Sequence, residues 1–216
     1  MNRTVNVGCL FLVLVSSTFA AAEEKKPALR KFSDGPLRIE EFQGKPDLAI
    51  NGDAYTASRV EFKYEFAAEQ KNGQVEVRLT KFEVFSVFLP KSSWWKSSAK
   101  KSLLDHEQGH FDIAETAARR IQLGFDKIFA SKKTIRGSGP TREKAIKQLT
   151  EKLRRVVELA NEQVDQENLD YDSRTSHGMS PRNQAEHRRV QKATLDRLAK
   201  ELKSVRKGGG KLKASK

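Results

Sequence analysis

The apolar residues of this chain change period once, and that change limits the folds open to it. Before Pro90 the period is two: Val60, Phe62, Tyr64 and Phe66 alternate with polar residues, as do Val75, Val77 and Leu79, with Asn72-Gly73 between the two runs. Such alternation places the apolar side chains on one face of a strand, and Asn-Gly supplies the positive φ angles of a tight hairpin turn. Phe82 to Leu89 continues as strand with both faces partly apolar. Beyond the Ser-rich segment around Trp94-Trp95 the period becomes helical, with Ile113, Ala114, Ala117, Ile121, Phe125 and Ile128 forming one stripe.

Gly137-Ser138-Gly139-Pro140 breaks that helix and starts another, whose stripe is Ile146, Leu149, Leu153, Val156, Ala160 and Val164. A polar stretch from Asn168 to Gly178 reads as an interhelical loop, and a third stripe follows with Val190, Leu195, Leu198, Leu202 and Val205. Strands first and helices after predict an α+β fold: an N-terminal antiparallel β-sheet, then one helix and two further helices in a single domain. A length of 216 residues fits one core.

The two ends read differently from the middle. Residues 1–22 carry the marks of a signal peptide: a basic start at Arg3, an apolar run from Val5 to Val15, and Ala20-Ala21-Ala22 before Glu23-Glu24. Export to the periplasm or the exterior is the expectation, with no membrane-spanning segment in what remains. Residues 23–36 read as a loose lead-in, 37–205 as the domain, and 206–216 as a basic disordered tail. The single cysteine, Cys9, leaves with the signal, so a metal would have to be held by His and carboxylate groups. The formal charge of +13 suits an anionic envelope polymer as partner. The strands lack the basic and aromatic interleaving of a nucleic-acid binder, and no nucleic-acid partner is expected.

His106-Glu107-Gln108-Gly109-His110 opens the first helical stripe. Histidines four apart on a helix are turned about 40° from one another and can reach one ion. His106 and His110 share the face of Ile113, Ala114, Ala117 and Ile121, so the ion would lie on the core side. Zinc is the cofactor this donor set predicts. Glu107, at the margin of that face, can take a proton from a zinc-bound water, whose pKa falls to about 7. Gly109 leaves room for another segment to approach.

A catalytic zinc takes a third protein ligand. Glu151, Glu158 and Glu162 lie off the second stripe, and Glu115 lies about half a turn from His106. The polar stretch is the better source: His177 as first choice, Asp172 as the alternative, and Asp170 as a partner that fixes an imidazole tautomer. Tyr171 or Arg174 would stabilise the oxyanion of the reaction. His187 reads as a packing or surface residue.

The segments Leu104 to Glu115 and Tyr171 to Gly178 resemble the bacterial family of predicted secreted Zn-dependent proteases, catalogued as domain of unknown function 922. The resemblance runs from about Leu37 to Leu202. It implies a zinc-dependent peptidase role for His106, Glu107 and His110 and makes Tyr171 to Gly178 part of the same site. The first reading is therefore a secreted zinc metallopeptidase acting on a peptide or protein, in a zincin-like domain. The second is a non-catalytic, zinc-stabilised protein that binds an envelope polymer through its basic surface.

Overall fold

The structure is a computed structural model and describes residues 29–47, 49 and 52–211. The expected signal peptide and Cys9 lie outside the described residues. A long antiparallel hairpin forms the frame: β3 (Ser58–Lys71) and β4 (Gln74–Phe88) pair from Ser58↔Phe88 to Lys71↔Gln74. Asn72 and Gly73 close it with φ of 51° and 76°, the turn that the Asn-Gly pair predicts. The register shifts between Glu65 and Phe66, where β4 carries one residue more than β3.

β4 is the central strand, because two short strands pair with its other edge. These are β1 (Arg30–Lys31), opposite Phe88 and Val87, and β6 (Arg136–Gly139), opposite Arg78 to Val75. Two expectations change here. Arg30 and Lys31 belong to the sheet, so the domain begins ahead of residue 37. Arg30 is held there by Glu41 and by the carbonyl oxygens of Gly35 and Pro36. The Gly-rich break is strand β6, and glycine is needed in it: a Cβ on Gly137 would lie 2.7 Å from the Leu149 nitrogen. A separate pair, β2 (Ala54–Tyr55) with β5 (Trp94–Trp95), sits beside this sheet.

Two of the three helices, α1 (Leu103–Ala130) and α2 (Arg142–Thr175), cover one face of the hairpin, and the third is α3 (Pro181–Lys211). Val60, Val77, Leu79, Phe82 and Val84 of the hairpin pack against Ile113, Ala114, Ala118 and Phe125 of α1 and against Ala145, Leu149, Leu153, Val157 and Val164 of α2. Burying a Val, Leu or Phe side chain is worth about 1.5–3 kcal/mol, so this shared face is the main glue of the fold. Polar clasps fix its register: Gln122 accepts from Val84 N and donates to Phe82 O, and Asn161 does the same with both backbone groups of Val60. α3 lies chiefly along α1, with Leu195 and Leu198 buried.

The helix limits also depart from expectation. α2 buries Val157 and leaves Val156 exposed, and it runs through Thr175, so most of the supposed loop is helix. Val190 is exposed, and α3 continues to Lys211 where a disordered tail was expected from residue 206. Residues 212–216 lie outside the described part. No described helix is long and apolar enough to cross a membrane.

Candidate metal centre

α1 brings its first two turns in between α2 and α3, and His106, Glu107 and His110 are all buried. Their neighbours come from the last turns of α2. Asn168, Tyr171, Asp172 and Thr175 follow helical spacing along one face there, toward α1. Close approach of the two helices depends on Gly109: a Cβ on it would stand 2.6 Å from Cζ of Tyr171.

Three possible ligand atoms converge. Asp172 Oδ1 is 2.9 Å from His106 Nε2 and 3.1 Å from His110 Nε2, and the two Nε2 atoms are 3.2 Å apart. Zinc ligands at 2.0–2.1 Å in a tetrahedron stand about 3.3 Å from one another, so the triangle has the size of one face of a zinc site.

The outer hydrogen bonds give an independent test of the fit. His106 Nδ1 lies 3.2 Å from Gln184 Oε1, and His110 Nδ1 lies 3.0 Å from Asn168 Oδ1. Each amide oxygen accepts a hydrogen bond from Nδ1–H, which leaves the Nε2 lone pairs pointing at the Asp172 carboxylate. Three lone pairs directed at one point repel each other unless a cation lies among them. The residues therefore fit a divalent metal. In the metal-free chain the cost falls on the protons. Burial works against an ionised Asp172, but hydrogen bonds and charge from His106 and His110 prevail and hold its carboxyl well below the usual range. Burial likewise opposes a charged His110, and Asp172 and Glu107 outweigh it and raise its pKa.

Glu107 stands beside the triangle with a different environment. Burial raises its pKa, and the opposing pull of the His110 and His106 charges does not cancel the rise. Its Oε2 is buried without a hydrogen-bond partner among the described residues, as is the hydroxyl of Thr56. Both residues line a cavity of about 580 Å³ shared with His106, His110, Asp172 and Tyr55. An unpaired buried carboxylate oxygen costs on the order of 1–3 kcal/mol, so this group is held ready for a partner that enters the cavity.

The remaining sequence-based candidates stand outside the triangle. His177, the first choice for third ligand, lies past the helix end at φ 51°; its side chain is 57 % exposed and its Nδ1 is 3.5 Å from Asp172 Oδ1. Asp172, the alternative, occupies the triangle instead. The reason is local: residues 168, 172 and 175 still follow the helix, while Ser176, His177 and Gly178 turn out of it in left-handed conformations.

Tyr171 is 2 % exposed, stacks on His106 at 4.8 Å and donates to Gln184, and it does not line the cavity. It props an imidazole rather than facing an oxyanion. Asp170 and Arg174 pair with each other at 2.7 Å on the exposed side of α2, so neither serves the roles expected of it. His187 packs edge-on against Tyr171.

Sequence reasoning missed Tyr55, at the end of a two-residue strand, and Thr56 just after it, both of which reach the cavity, and Gln184, whose oxygen serves both His106 and Tyr171. Asn168, one helical turn before Asp172, carried a spacing signal that apolar stripes do not reveal.

A family model described as Bacterial protein of unknown function (DUF922) matches residues 43–178. That range holds both histidines, Glu107, Asn168 and Asp172, and stops short of Gln184. No curated protein and no solved structure matches the chain.

Proposed function

This chain belongs to the bacterial DUF922 family, whose function is not known, and from its site we propose that it is an exported zinc-dependent peptidase with Glu107 as general base. His106, His110 and Asp172 would hold the metal, and zinc bound there supplies a Lewis acid and lowers the pKa of water. The observation that carries the reading is the pairing of this triangle with the unpartnered Glu107 oxygen in one cavity. A purely structural metal needs no such neighbour, because its sites are closed by four protein ligands.

The work of the chain's own residues follows from the geometry. Gln184 and Asn168 orient the two imidazoles, and the Tyr171 ring backs His106. Glu107, its basicity raised by burial, accepts a proton from water in the cavity and returns it to the leaving amine. Tyr55, which lines the cavity, offers a hydroxyl to the developing oxyanion, whereas Tyr171 is committed to Gln184. Export rests on the signal-like residues 1–22.

The test joins zinc analysis of the purified chain to peptide hydrolysis by wild type and Glu107→Gln. The expected outcome is one zinc per chain in both proteins, with hydrolysis about 10²- to 10⁴-fold slower in the variant, the range of general acid–base catalysis. Zinc bound at full stoichiometry with no hydrolysis by wild type would favour a non-catalytic zinc-stabilised protein with a basic surface. Absence of zinc would sink both readings.

A further inference from the structure

The cavity has a charge opposite to that of the chain around it. The sequence carries a formal +13, yet the ionisable side chains lining the cavity, besides Tyr55 and the three histidines His106, His110 and His177, are Asp53, Glu107, Asp165 and Asp172. Among the described residues no Lys or Arg lines it. A divalent metal offsets two of the four carboxylates and Lys96 pairs with Asp53, which leaves a net negative charge. Asp53 and Asp165 are the two that stand outside the proposed metal and general-base roles. Asp165 makes no ion pair among the described residues, whereas Asp53 already accepts from Lys96 Nζ at 3.5 Å, so this wall has attracted one ammonium group.

Two further features point to an occupant. The Thr56 hydroxyl, 5 % exposed and lining the same cavity, has no hydrogen-bond partner among the described residues. Tyr55, 40 % exposed, is held with its ring stacked on Trp94, so an aromatic face or edge and a hydroxyl are fixed at the cavity wall. An aromatic ring flanked by carboxylates is a receptor for a cation, which gains from both the ring quadrupole and the charges. Negative charge from Asp165, Asp172 and Glu107 also adds to burial in raising the Tyr55 pKa, as the same field requires.

We propose that Asp165, Asp53 and Tyr55 form a subsite for a cationic nitrogen of the substrate, the side chain of a Lys or Arg residue or a terminal ammonium, with Thr56 binding the adjoining polar group. The subsite deepens the peptidase reading and rests on it for the identity of the ligand as a peptide. The same carboxylates disfavour an anionic peptide. The basic outer surface does not prevent entry, because at physiological salt its field decays over about 8 Å while the carboxylates act at contact.

Binding tests the subsite without relying on turnover. Zinc-loaded full-length Glu107→Gln is titrated calorimetrically with capped Ala-Lys-Ala, Ala-Ala-Ala and Ala-Glu-Ala, and with uncapped Ala-Ala-Ala. The capped Lys peptide is expected to bind about fivefold tighter than its Ala counterpart, the worth of one partly exposed ion pair, and the Glu peptide weakest. Asp165→Asn in this background removes the preference, and because Asp165 is exposed the fold is retained, which circular dichroism checks. A gain seen with the uncapped peptide instead identifies the terminal ammonium as the group.

Equal binding of the capped Ala and Lys peptides, with no gain from the free terminus, overturns the subsite. So does a preference that persists in Asp53→Asn/Asp165→Asn, or no binding by any peptide. Cation preference together with a wild type that hydrolyses nothing leaves the subsite standing and removes the peptidase reading.

Discussion

The two helices that supply the metal centre contribute halves of unlike character. The α1 half is buried and fixed: His106 and His110 are 3 % and 7 % exposed, and each imidazole is held through Nδ1 by an amide oxygen. The α2 half sits at a helix end, where Asp172 lines the open cavity and the chain then makes a left-handed turn through Ser176, His177 and Gly178. The difference teaches that the site's geometry is set on the core side and its access on the other. It also explains why two carboxylates within one cavity are pushed in opposite directions, Glu107 upward by burial and Asp172 downward by the imidazoles, against burial.

The most severe way to break this contrast is to remove one ligand from each half. His110→Ala leaves a buried void and strands Asn168, and it should weaken zinc binding by more than about a hundredfold, above the range for outer hydrogen-bond partners. Asp172→Asn should cost less, since it keeps a carbonyl oxygen in place and has His177 beside it. Competition with a chelating dye measures both, and a larger loss for Asp172→Asn would reverse the assignment of fixed and open halves.

A milder step sharpens the account of the fixed half. Asn168→Ala and Gln184→Ala should each reduce zinc affinity about 10- to 100-fold while leaving the ligands in place. If both variants bind zinc as wild type does, the imidazoles are held by packing alone.

The smallest effect is in the pH dependence of the metal-free protein. Glu107 has a raised folded pKa, so the stability associated with its neutral form is complete below the ordinary carboxylate range and is lost as pH rises through the shifted value. Asp172 has a lowered one, so its contribution is present above that range and is lost as pH falls. Glu107→Gln should therefore raise the Tm of the chelator-treated protein at neutral pH and have little effect in acid, whereas Asp172→Asn should lower it at neutral pH. Thermal scans across the pH range check the signs, and parallel shifts in the two variants would contradict the opposed environments.

Much of this was legible in the sequence. The β3–β4 hairpin follows from alternation and Asn72-Gly73, and α1 with its histidine pair follows from one stripe, because in both the apolar pattern and the geometry have the same period. The end of α2 was not legible by that rule. Its buried face there is polar, Asn168, Asp172 and Thr175 around Tyr171, and a polar helix face that packs on a metal site looks like a loop when only apolar residues are counted. Hence His177 was favoured over Asp172.

β1, β2 and β6 span two to four residues each, too short for a period, and their pairing depends on partners distant in sequence. Tyr55 ends such a strand and Thr56 follows it, so nothing local marks their reach to the cavity.

Gln184 belongs to α3, yet one oxygen of its side chain receives both His106 and Tyr171, and its nitrogen donates to Asp105 in the first turn of α1. A few residues on, Arg188 reaches Asp105 and Asp112, and Gln191 donates to the Gly109 carbonyl. The last helix of the chain is thus latched to the centre it does not ligate. Occupancy by metal and seating of that helix are thermodynamically linked, so amide hydrogens of α3 should exchange more slowly as the ion loads.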